Sequence, residues 1–220
     1  MDHNHSSEGL GQSLISPTSS IDFRFNPKLT LGVLASGKGT NFEAIVKACQ
    51  DSKLDADISL LIVNNPSCEA ISRAKKLNIP FEIINHNDYS SREDYDTKII
   101  QKFKDHEVEG IVMAGWMRII TNNLINAYPQ RIINIHPSLL PSFRGMNAVQ
   151  QALNSKVLIT GCSVHLVTKE VDEGPLIIQA AVPIYKSDIK DSLLKRIQLM
   201  EHKILPIGIS IAAEKWRNSY

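Results

Sequence analysis

Apolar runs alternate with amphipathic segments along most of the chain. Five runs have the length and composition of buried strands: LTLGVLAS, ISLLIV, PFEII, EGIVMAG and RIINIH. Apolar residues at helical spacing predict helices over NFEAIVKACQ, over CEAISRAKKL and over about residues 90–106. Continuous apolar strands that alternate with amphipathic helices are typical of a mostly parallel sheet with helices on both faces.

Two of the predicted helix starts carry a capping pattern. Thr40 and Glu43 have the Ser/Thr-x-x-Glu spacing of a capping box, and so do Ser90 and Glu93. In such a box the two side chains satisfy backbone N–H groups of the first helical turn. We therefore expect helices to begin at about these two positions.

The pattern changes after Thr160. The segments GCSVHLVTKE and PLIIQAAVPI are strand-like, and the turn-forming VDEG between them predicts an antiparallel hairpin. A long helix is predicted over about residues 188–217, with Pro206 kinking or splitting it. The predicted fold is α/β: a Rossmann-like open, mostly parallel twisted sheet with helices on both faces, a C-terminal antiparallel hairpin and a long helix. Such sheets bind ligands at the carboxyl ends of their strands.

Composition divides the chain into two parts. Residues 1–28 are rich in Ser, Gly, Asn and Pro without sustained periodicity, so we expect a poorly ordered tail. Residues 29–220 are expected to form a single domain, long enough to bury a core without disulfides or a structural metal.

Charge and cysteine content exclude several classes of function. Lys+Arg 24 against Asp+Glu 23 gives a net charge of +1, so no nucleic-acid partner is expected. Cys49, Cys68 and Cys162 form no CxxC pair, which disfavours a zinc ribbon or a disulfide framework and favours a cytoplasmic location. No apolar run reaches the about 18 residues that span a bilayer, and no signal peptide is recognisable, so no membrane association is expected.

A glycine-rich turn, SGKGTN at residues 36–41, joins the first strand to the first helix. Main-chain N–H groups and the positive end of the helix dipole can hold a phosphate there. The spacing matches neither the dinucleotide pattern GxGxxG nor a Walker A loop, so a compact site for one phosphate is favoured. A strand–helix turn that needs glycine only for its geometry is an equal alternative.

Asn134 and His136 end the fifth predicted strand, before Pro137. Side chains two residues apart on a strand project from the same face, so these two lie side by side. An amide N–H beside an imidazolium is a suitable oxyanion hole for acyl transfer to an amine, which needs no serine or cysteine nucleophile. A core histidine with a backbone partner and a strand-end asparagine is the alternative.

Asp172 lies in the turn VDEG, which can fold over the same strand ends. A carboxylate near His136 favours the protonated ring, which can donate to a developing oxyanion and then pass a proton on. Taken alone, an aspartate in a turn is more often an ordinary turn residue.

Six segments together resemble one family. SGKGTN, SREDYD, AGWMRII, NIHPSLLPSFRG, SVHLVTKEVDEGP and QLMEH occur in the order found in the glycinamide ribonucleotide transformylases, folate-dependent formyltransferases of purine synthesis. The resemblance covers about residues 29–214. It implies that a formyl group passes from the co-substrate 10-formyltetrahydrofolate to the amine of glycinamide ribonucleotide, without a covalent enzyme intermediate and without metal. A monomer or weak homodimer is expected.

Residue roles are implied by the resemblance, motif by motif. Asn134 and His136 stabilise the oxyanion, His136 donates a proton to the departing folate nitrogen, and Asp172 keeps His136 protonated and positions a water. The ribonucleotide is bound by the glycine loop and the last helix, through Gly37, Lys38, Gly39, Thr40, Asn41, Gln198 and Glu201. The folate is bound by Arg92, Met117, Arg118, Ile119, Ile120, Asn134, Thr168, Lys169, Glu170, Val171 and Asp172.

Two further positions are interpreted differently. His165 lies on a predicted strand near the folate loop, and we interpret it as a packing residue. In GMNAVQQAL, some family members carry histidine where Met146, Asn147 or Ala148 stands here, which leaves any contact of that position open.

Other functions are less consistent with these features. The SLLPSFRG loop also resembles methionyl-tRNA formyltransferase, but that family is basic and has an added tRNA-binding domain, whereas this chain has a net charge of +1. Formyltetrahydrofolate hydrolase shares the folate site, but about 28 residues are too few for its ligand-sensing domain. A non-enzymatic sensor of nucleotide or folate does not require Asn134, His136 and Asp172 together.

Overall fold

The computed structural model of the chain describes residues 14–18 and 23–218. The strands are β1 (Ile15–Ser16), β2 (Leu29–Ala35), β3 (Ala56–Val63), β4 (Phe81–Ile83), β5 (Gly110–Met113), β6 (Ile132–His136), β7 (Ile159–Leu166) and β8 (Leu176–Pro183). The helices are α1 (Thr40–Gln50), α2 (Glu69–Lys76), α3 (Arg92–Asp105), α4 (Asn122–Ala127), α5 (Ala148–Asn154) and α6 (Lys190–Asn218). Every strand and helix predicted from the apolar pattern is present.

The eight strands form one sheet in the order β1-β8-β7-β6-β5-β2-β3-β4. Strands β2 to β6 pair in parallel, whereas β7 runs antiparallel to both β6 and β8. The predicted α/β fold, a mostly parallel sheet with a C-terminal antiparallel hairpin, is therefore confirmed. Because β2, β5 and β6 are neighbours, the segments that follow them meet at one edge of the sheet.

Two apolar clusters cover the two faces of the sheet. One cluster packs α1, α2 and α6 against the sheet, and the other packs α3 and α4 against the opposite face. Burial of each large side chain, such as Phe42 or Phe103, stabilises the fold by about 1.5–3 kcal/mol. A Cβ at Gly208 of α6 would lie 2.8 Å from Val164 Cγ1, so glycine lets α6 approach β7 closely.

The capping boxes predicted at the two helix starts are wrong in their details. Helix α1 does begin at Thr40, but Gly39 is its N-cap and no side chain caps it. Glu43 instead pairs with Lys47 and Arg73. At α3 the N-cap is Ser91, whose hydroxyl accepts a hydrogen bond from Asp94 N at 3.0 Å, one residue beyond the predicted pair.

The long C-terminal helix is continuous from Lys190 to Asn218 with Pro206 inside it, so the predicted split does not occur. Pro206 and its neighbours Ile204, Leu205 and Ile209 are buried against the sheet. Packing of this apolar face compensates for the backbone hydrogen bond that proline cannot donate.

Some elements were not predicted. Within the region expected to be a tail, Ile15 and Ser16 pair with β8 at the edge of the sheet, and Phe25 N donates to Asp55 Oδ2 at 2.7 Å. The rest of that expectation falls largely on residues 1–13 and 19–22, which lie outside the described residues. Helices α4 and α5 have six and seven residues, too few for a clear helical period. Among the helices described, none is long and apolar enough to cross a membrane.

Candidate active site

The carboxyl end of β6 and the β7–β8 loop form the centre of the candidate site. Asn134 and His136 project from the same face of β6, as predicted, and the antiparallel register sets them opposite His165 and Ser163 of β7. Asp172 comes from the loop between β7 and β8 and reaches both β6 side chains. The three predicted catalytic residues therefore lie in contact.

His136 is 6% exposed and is held at both ring nitrogens. Nδ1 lies 3.3 Å from Asp172 Oδ2, and Nε2 lies 2.9 Å from the carbonyl oxygen of Phe143. Both neighbours are oxygen acceptors, so both contacts become hydrogen bonds only when both nitrogens carry hydrogen. These two contacts fix the orientation of the ring at the end of β6.

Asp172 is the shared partner of the cluster. Its Oδ2 accepts from Gly145 N at 2.8 Å, and its Oδ1 accepts from Asn134 Nδ2 at 3.4 Å. Burial alone would raise the pKa of Asp172, but the hydrogen bond from Gly145 N and the neighbouring His165 and His136 rings outweigh it, so this pKa is lowered from its ordinary value. The side chain is therefore a carboxylate at neutral pH.

His165 is buried beside the cluster, and its interpretation as a packing residue stays a prediction. It is 2% exposed, its Nε2 accepts from Asn134 Nδ2 at 3.1 Å, and its Nδ1 donates to Leu166 O at 2.8 Å. One neutral tautomer, with hydrogen on Nδ1, satisfies both contacts. Its Nε2 also lies 3.5 Å from Asp172 Oδ1, so a second proton on His165 would turn that contact into an ion pair.

The buried Ser163 and the half-buried Gln179 support the loop after β6. Ser163 Oγ donates to Ser138 O at 2.7 Å and accepts from Leu140 N at 3.0 Å. Gln179 Nε2 donates to both Ser163 Oγ and Leu140 O. This network fixes residues 137–142 against β7 and β8. It thereby also fixes the position of the next residue, Phe143, whose carbonyl oxygen orients His136.

The glycine loop joins β2 to α1, as predicted. Gly39 has φ of 72°, and an added Cβ would lie 2.7 Å from Ala70 Cβ, so both its conformation and its surroundings require glycine. Arg73 Nε donates to Lys38 O at 2.7 Å, and Ala70 N donates to Gly37 O at 3.2 Å. The side chain of Lys38 is exposed. These bonds fix the loop on α2. Helix α1 begins at Thr40, and the main-chain N–H groups of its first residues, Thr40 and Asn41, have no partner within the helix and can bind a ligand.

Glu201 of α6 reaches the glycine loop. Its Oε2 accepts from Asn41 Nδ2 at 3.0 Å, and the residue is 5% exposed. Burial raises the pKa of Glu201, and the hydrogen bond from Asn41 opposes that rise. Within the described residues no basic side chain pairs with Glu201, so a bound cation would offset the cost of burying its charge. Gln198, one turn earlier on α6, is half-buried on the same side.

The segment after β5 lies beside the glycine loop. Met117 N donates to Ser36 Oγ at 2.9 Å, which joins the predicted folate segment to the end of β2. Met117 is 77% exposed and Ile119 is also exposed, whereas Ile120 is buried. The guanidinium of Arg118 lies 5.4 Å from the centre of the Tyr95 ring. Arg92 is exposed at the first residue of α3, the helix that carries Tyr95.

The loop predicted to close over the folate precedes Asp172. Thr168 Oγ1 donates to Glu170 O at 3.3 Å, while Lys169, Glu170 and Val171 are exposed. Among the described residues, no group of three or more His, Cys, Asp or Glu side chains is arranged to hold a metal ion.

Comparisons with known proteins identify the family. A family model described as "Formyl transferase" matches residues 30–209. The chain is 41% identical over 189 residues to phosphoribosylglycinamide formyltransferase of Bacillus subtilis, with 83% of this chain and 97% of that protein covered. It is 37% identical over 186 residues to the human trifunctional purine biosynthetic protein adenosine-3, where 84% of this chain but only 18% of that protein is covered.

A solved structure shows the same fold. Glycinamide ribonucleotide transformylase 1 from Symbiobacterium toebii superposes with a TM-score of 0.84 at 36% identity, over 86% of this chain and 89% of that one. The family match covers most of the chain, and the Bacillus protein is covered almost end to end. The chain therefore belongs to the formyl transferase family, among the phosphoribosylglycinamide formyltransferases.

Proposed function

We propose that this chain transfers a formyl group from 10-formyltetrahydrofolate to the amine of glycinamide ribonucleotide. The products are formylglycinamide ribonucleotide and tetrahydrofolate, and the reaction belongs to de novo purine synthesis. The observation that carries this proposal is the contact of Asn134, His136 and Asp172 at the carboxyl edge of the sheet. The names of the B. subtilis and S. toebii proteins support the choice of substrate.

The chemistry needs donors rather than a nucleophilic side chain. The amine of the ribonucleotide forms a bond to the formyl carbon, and negative charge develops on the formyl oxygen. Asn134, which is half-buried, and His136, which is buried, supply an amide N–H and an imidazolium N–H for that oxygen, and such donors are most effective where water is excluded. In the structure these donors face His165, Asp172 and Phe143, so substrate binding must exchange at least one of these hydrogen bonds.

Proton transfer completes the exchange of bonds. The bond between the formyl carbon and the folate nitrogen breaks, the attacking amine loses one proton, and the folate nitrogen gains one. His136 is the proton donor to the folate nitrogen, and the Asp172 carboxylate stabilises the charged ring and positions a water that returns the proton. The lowered pKa of Asp172 keeps this carboxylate ionised at neutral pH.

The ribonucleotide lies between the glycine loop and α6 in this proposal. Its phosphate binds to the main-chain N–H groups at the N-terminus of α1, at Gly39, Thr40 and Asn41. Gly37 and Lys38 lie beside these residues. Its amino end meets Glu201, whose buried carboxylate has no basic partner in the described chain, and Gln198 lines the approach. This orientation directs the amine from α6 toward the end of β6.

The folate lies on the other side of the catalytic cluster. Its pterin meets the main chain of residues 117–120, with the apolar side chains Met117, Ile119 and Ile120 around the ring and Arg118 at the edge. Arg92 meets the acidic part of the folate from α3. The loop of Thr168, Lys169, Glu170 and Val171 covers the ring and leads into Asp172.

Product formation from 10-formyltetrahydrofolate, with and without glycinamide ribonucleotide, tests the proposed activity. We expect release of tetrahydrofolate only when the ribonucleotide is present, together with formylated ribonucleotide in equal amount. Release of tetrahydrofolate and formate without the ribonucleotide would identify a hydrolase. Binding of both ligands without any release would identify a sensor and contradict the proposal.

Replacement of Glu201 tests the ribonucleotide site. We expect Glu201→Gln to raise the KM for glycinamide ribonucleotide about 10- to 100-fold, because a charge-assisted hydrogen bond is lost, while the KM for the folate changes little. The variant is also expected to unfold at a higher temperature at neutral pH. The pKa of Glu201 is raised in the folded protein, so the fold loses stability as pH rises above the ordinary pKa that this carboxyl has in the unfolded chain, and glutamine removes this cost.

Glu109→Gln is the matched control for this variant. Glu109 is half-buried just before β5, at the opposite end of the strands from the site, where its Oε1 accepts from Thr30 N at 2.9 Å and pairs with Arg217. Steady-state kinetics of both variants and their thermal unfolding are compared. An unchanged ribonucleotide KM in Glu201→Gln would remove Glu201 from the substrate site.

A further inference from the structure

The segment proposed to bind the pterin is fixed at both ends by side chains from other elements. Two of its own side chains, Met117 and Ile119, are exposed and do not hold it in place. Recognition of the pterin requires that main-chain N–H and C=O groups of residues 117–120 stay in fixed directions. The groups that hold the two ends of the segment therefore determine its geometry.

Ser36 holds the first end. It follows the last residue of β2, and its N–H donates to Gly115 O at 3.1 Å. Its hydroxyl accepts from Met117 N at 2.9 Å. The main-chain bond keeps Ser36 in the sheet, and the side-chain bond sets the direction of the peptide at Met117.

Asp96 of α3 holds the second end. It is 2% exposed, and its Oδ2 accepts from Thr121 N at 2.5 Å. Burial raises the pKa of Asp96, and the hydrogen bonds from Thr121 and the charge of Arg118 oppose that rise. A buried carboxylate has few other means of satisfying its charge, so this bond is strongly preferred over alternative positions of Thr121.

The neighbouring Tyr95 supports the middle of the segment. Its ring is stacked on Trp116, with 6.3 Å between ring centres and 8° between ring planes. The guanidinium of Arg118 lies 5.4 Å from the centre of the same ring. Tyr95 and Asp96 belong to the motif SREDYD, of which the proposed function uses only Arg92.

We propose that Ser36 and Asp96 are positioning residues for the folate, which they serve by fixing the main chain of residues 117–120. The inference rests on the proposed function, in which this segment binds the pterin. Neither side chain touches substrate in this role. Ser36 is also the first residue of the glycine loop, but within the described residues its hydroxyl bonds only to Met117 N on the folate side, so its removal should affect folate and spare ribonucleotide.

Ser36→Ala tests the first anchor. We expect the KM for 10-formyltetrahydrofolate to rise about five- to tenfold, the effect of one lost hydrogen bond, with kcat and the KM for ribonucleotide within about twofold of wild type. Ser36→Thr keeps the hydroxyl and is expected to restore the folate KM. Ser59→Ala is the matched control, because Ser59 is a half-buried strand serine whose hydroxyl donates to His106 O at 2.7 Å, away from this segment. A purely structural role predicts a lower unfolding temperature in Ser36→Ala without any change in the folate KM, and that result would overturn the proposal.

One further variant separates this inference from the proposed function. Ile119→Glu changes an exposed side chain of the segment itself and is expected to raise the folate KM strongly if the pterin binds there. If Ile119→Glu raises the folate KM and Ser36→Ala does not, the anchor is wrong and the folate site stands. If neither raises it, the folate site is wrong as well.

Two variants of Asp96 test the second anchor. Asp96→Asn keeps an acceptor for Thr121 N and is expected to bind folate better than Asp96→Ala. An equal folate KM in the two variants would contradict the role of Asp96.

Discussion

Replacement of His136 by alanine is expected to lower kcat by about 10³- to 10⁴-fold, with KM for both substrates changed little. The ring has two functions: it donates a hydrogen bond to the developing oxyanion and transfers a proton to the folate nitrogen. Each function accelerates the chemical step by about two orders of magnitude or more. These interactions form only as charge develops, so their loss lowers kcat and kcat/KM together. Single-turnover measurement of tetrahydrofolate formation gives the chemical step directly.

The cavity left by this replacement is small and next to a loop that other residues hold in place. Ser163 and Gln179 continue to anchor residues 137–142, so the variant is expected to fold. His106→Ala is the matched control, because His106 Nδ1 lies 2.9 Å from Lys102 O at the far end of α3. Near-normal kcat in a folded His136→Ala variant would refute the mechanism.

The sheet could be predicted from the sequence because its strands are buried on both faces. LTLGVLAS, EGIVMAG and RIINIH are nearly continuous apolar runs, which few structures other than a covered parallel sheet can bury. Once the strands were known, their carboxyl ends gave the location of Asn134 and His136. The contact with Asp172 depended on how a loop folds, and only the family resemblance and then the structure supplied it.

Local capping was harder to predict than the elements themselves. Thr40 has the spacing of a capping residue, yet the tight packing of Gly39 on Ala70 fixes the start of α1 one residue earlier. At α3 two serines in succession offer the same pattern, and tertiary placement selects Ser91. Sequence patterns therefore predict where a helix starts to within about one residue. They do not predict which atoms accept hydrogen bonds from the N–H groups of its first turn.

The hydrogen bonds of three polar residues near the site, His165, Asp96 and Ser36, were not predicted from the sequence. His165 and Asp96 stand in segments whose other residues are apolar or helical, so their role depends on which side chains lie across from them. A buried ionisable residue is costly without a partner, and that cost is the one signal in the sequence that could have singled them out. Ser36 carries no such signal, because a serine at a strand end is ordinary until the structure shows Met117 N bonded to it.

Replacement of Asp172 by asparagine is expected to lower kcat by about 10²- to 10³-fold and to shift the pH dependence of kcat/KM. The pKa of Asp172 is lowered from its ordinary value, so the wild-type side chain carries its negative charge throughout the neutral range, 3.3 Å from His136 Nδ1. A neutral amide carries no charge beside the ring, so both limbs of the profile should shift, and an unchanged profile would contradict the coupling of the pair. Asp172 also contributes stability, which is present above its unfolded pKa and is lost as pH falls through its lowered folded pKa. The asparagine variant should lack this contribution.

Asp188→Asn is the matched control for the profile. Asp188 accepts hydrogen bonds from Arg196 and Tyr185 N, and its pKa is also lowered, but it lies at the start of α6 away from the cluster. That variant is expected to lose stability and keep the wild-type pH profile. The double variant His136→Ala/Asp172→Asn then tests whether the pair acts as a unit. Because Asp172 acts through His136, the double variant should be no slower than His136→Ala alone, whereas reductions that multiply would mean that Asp172 contributes independently.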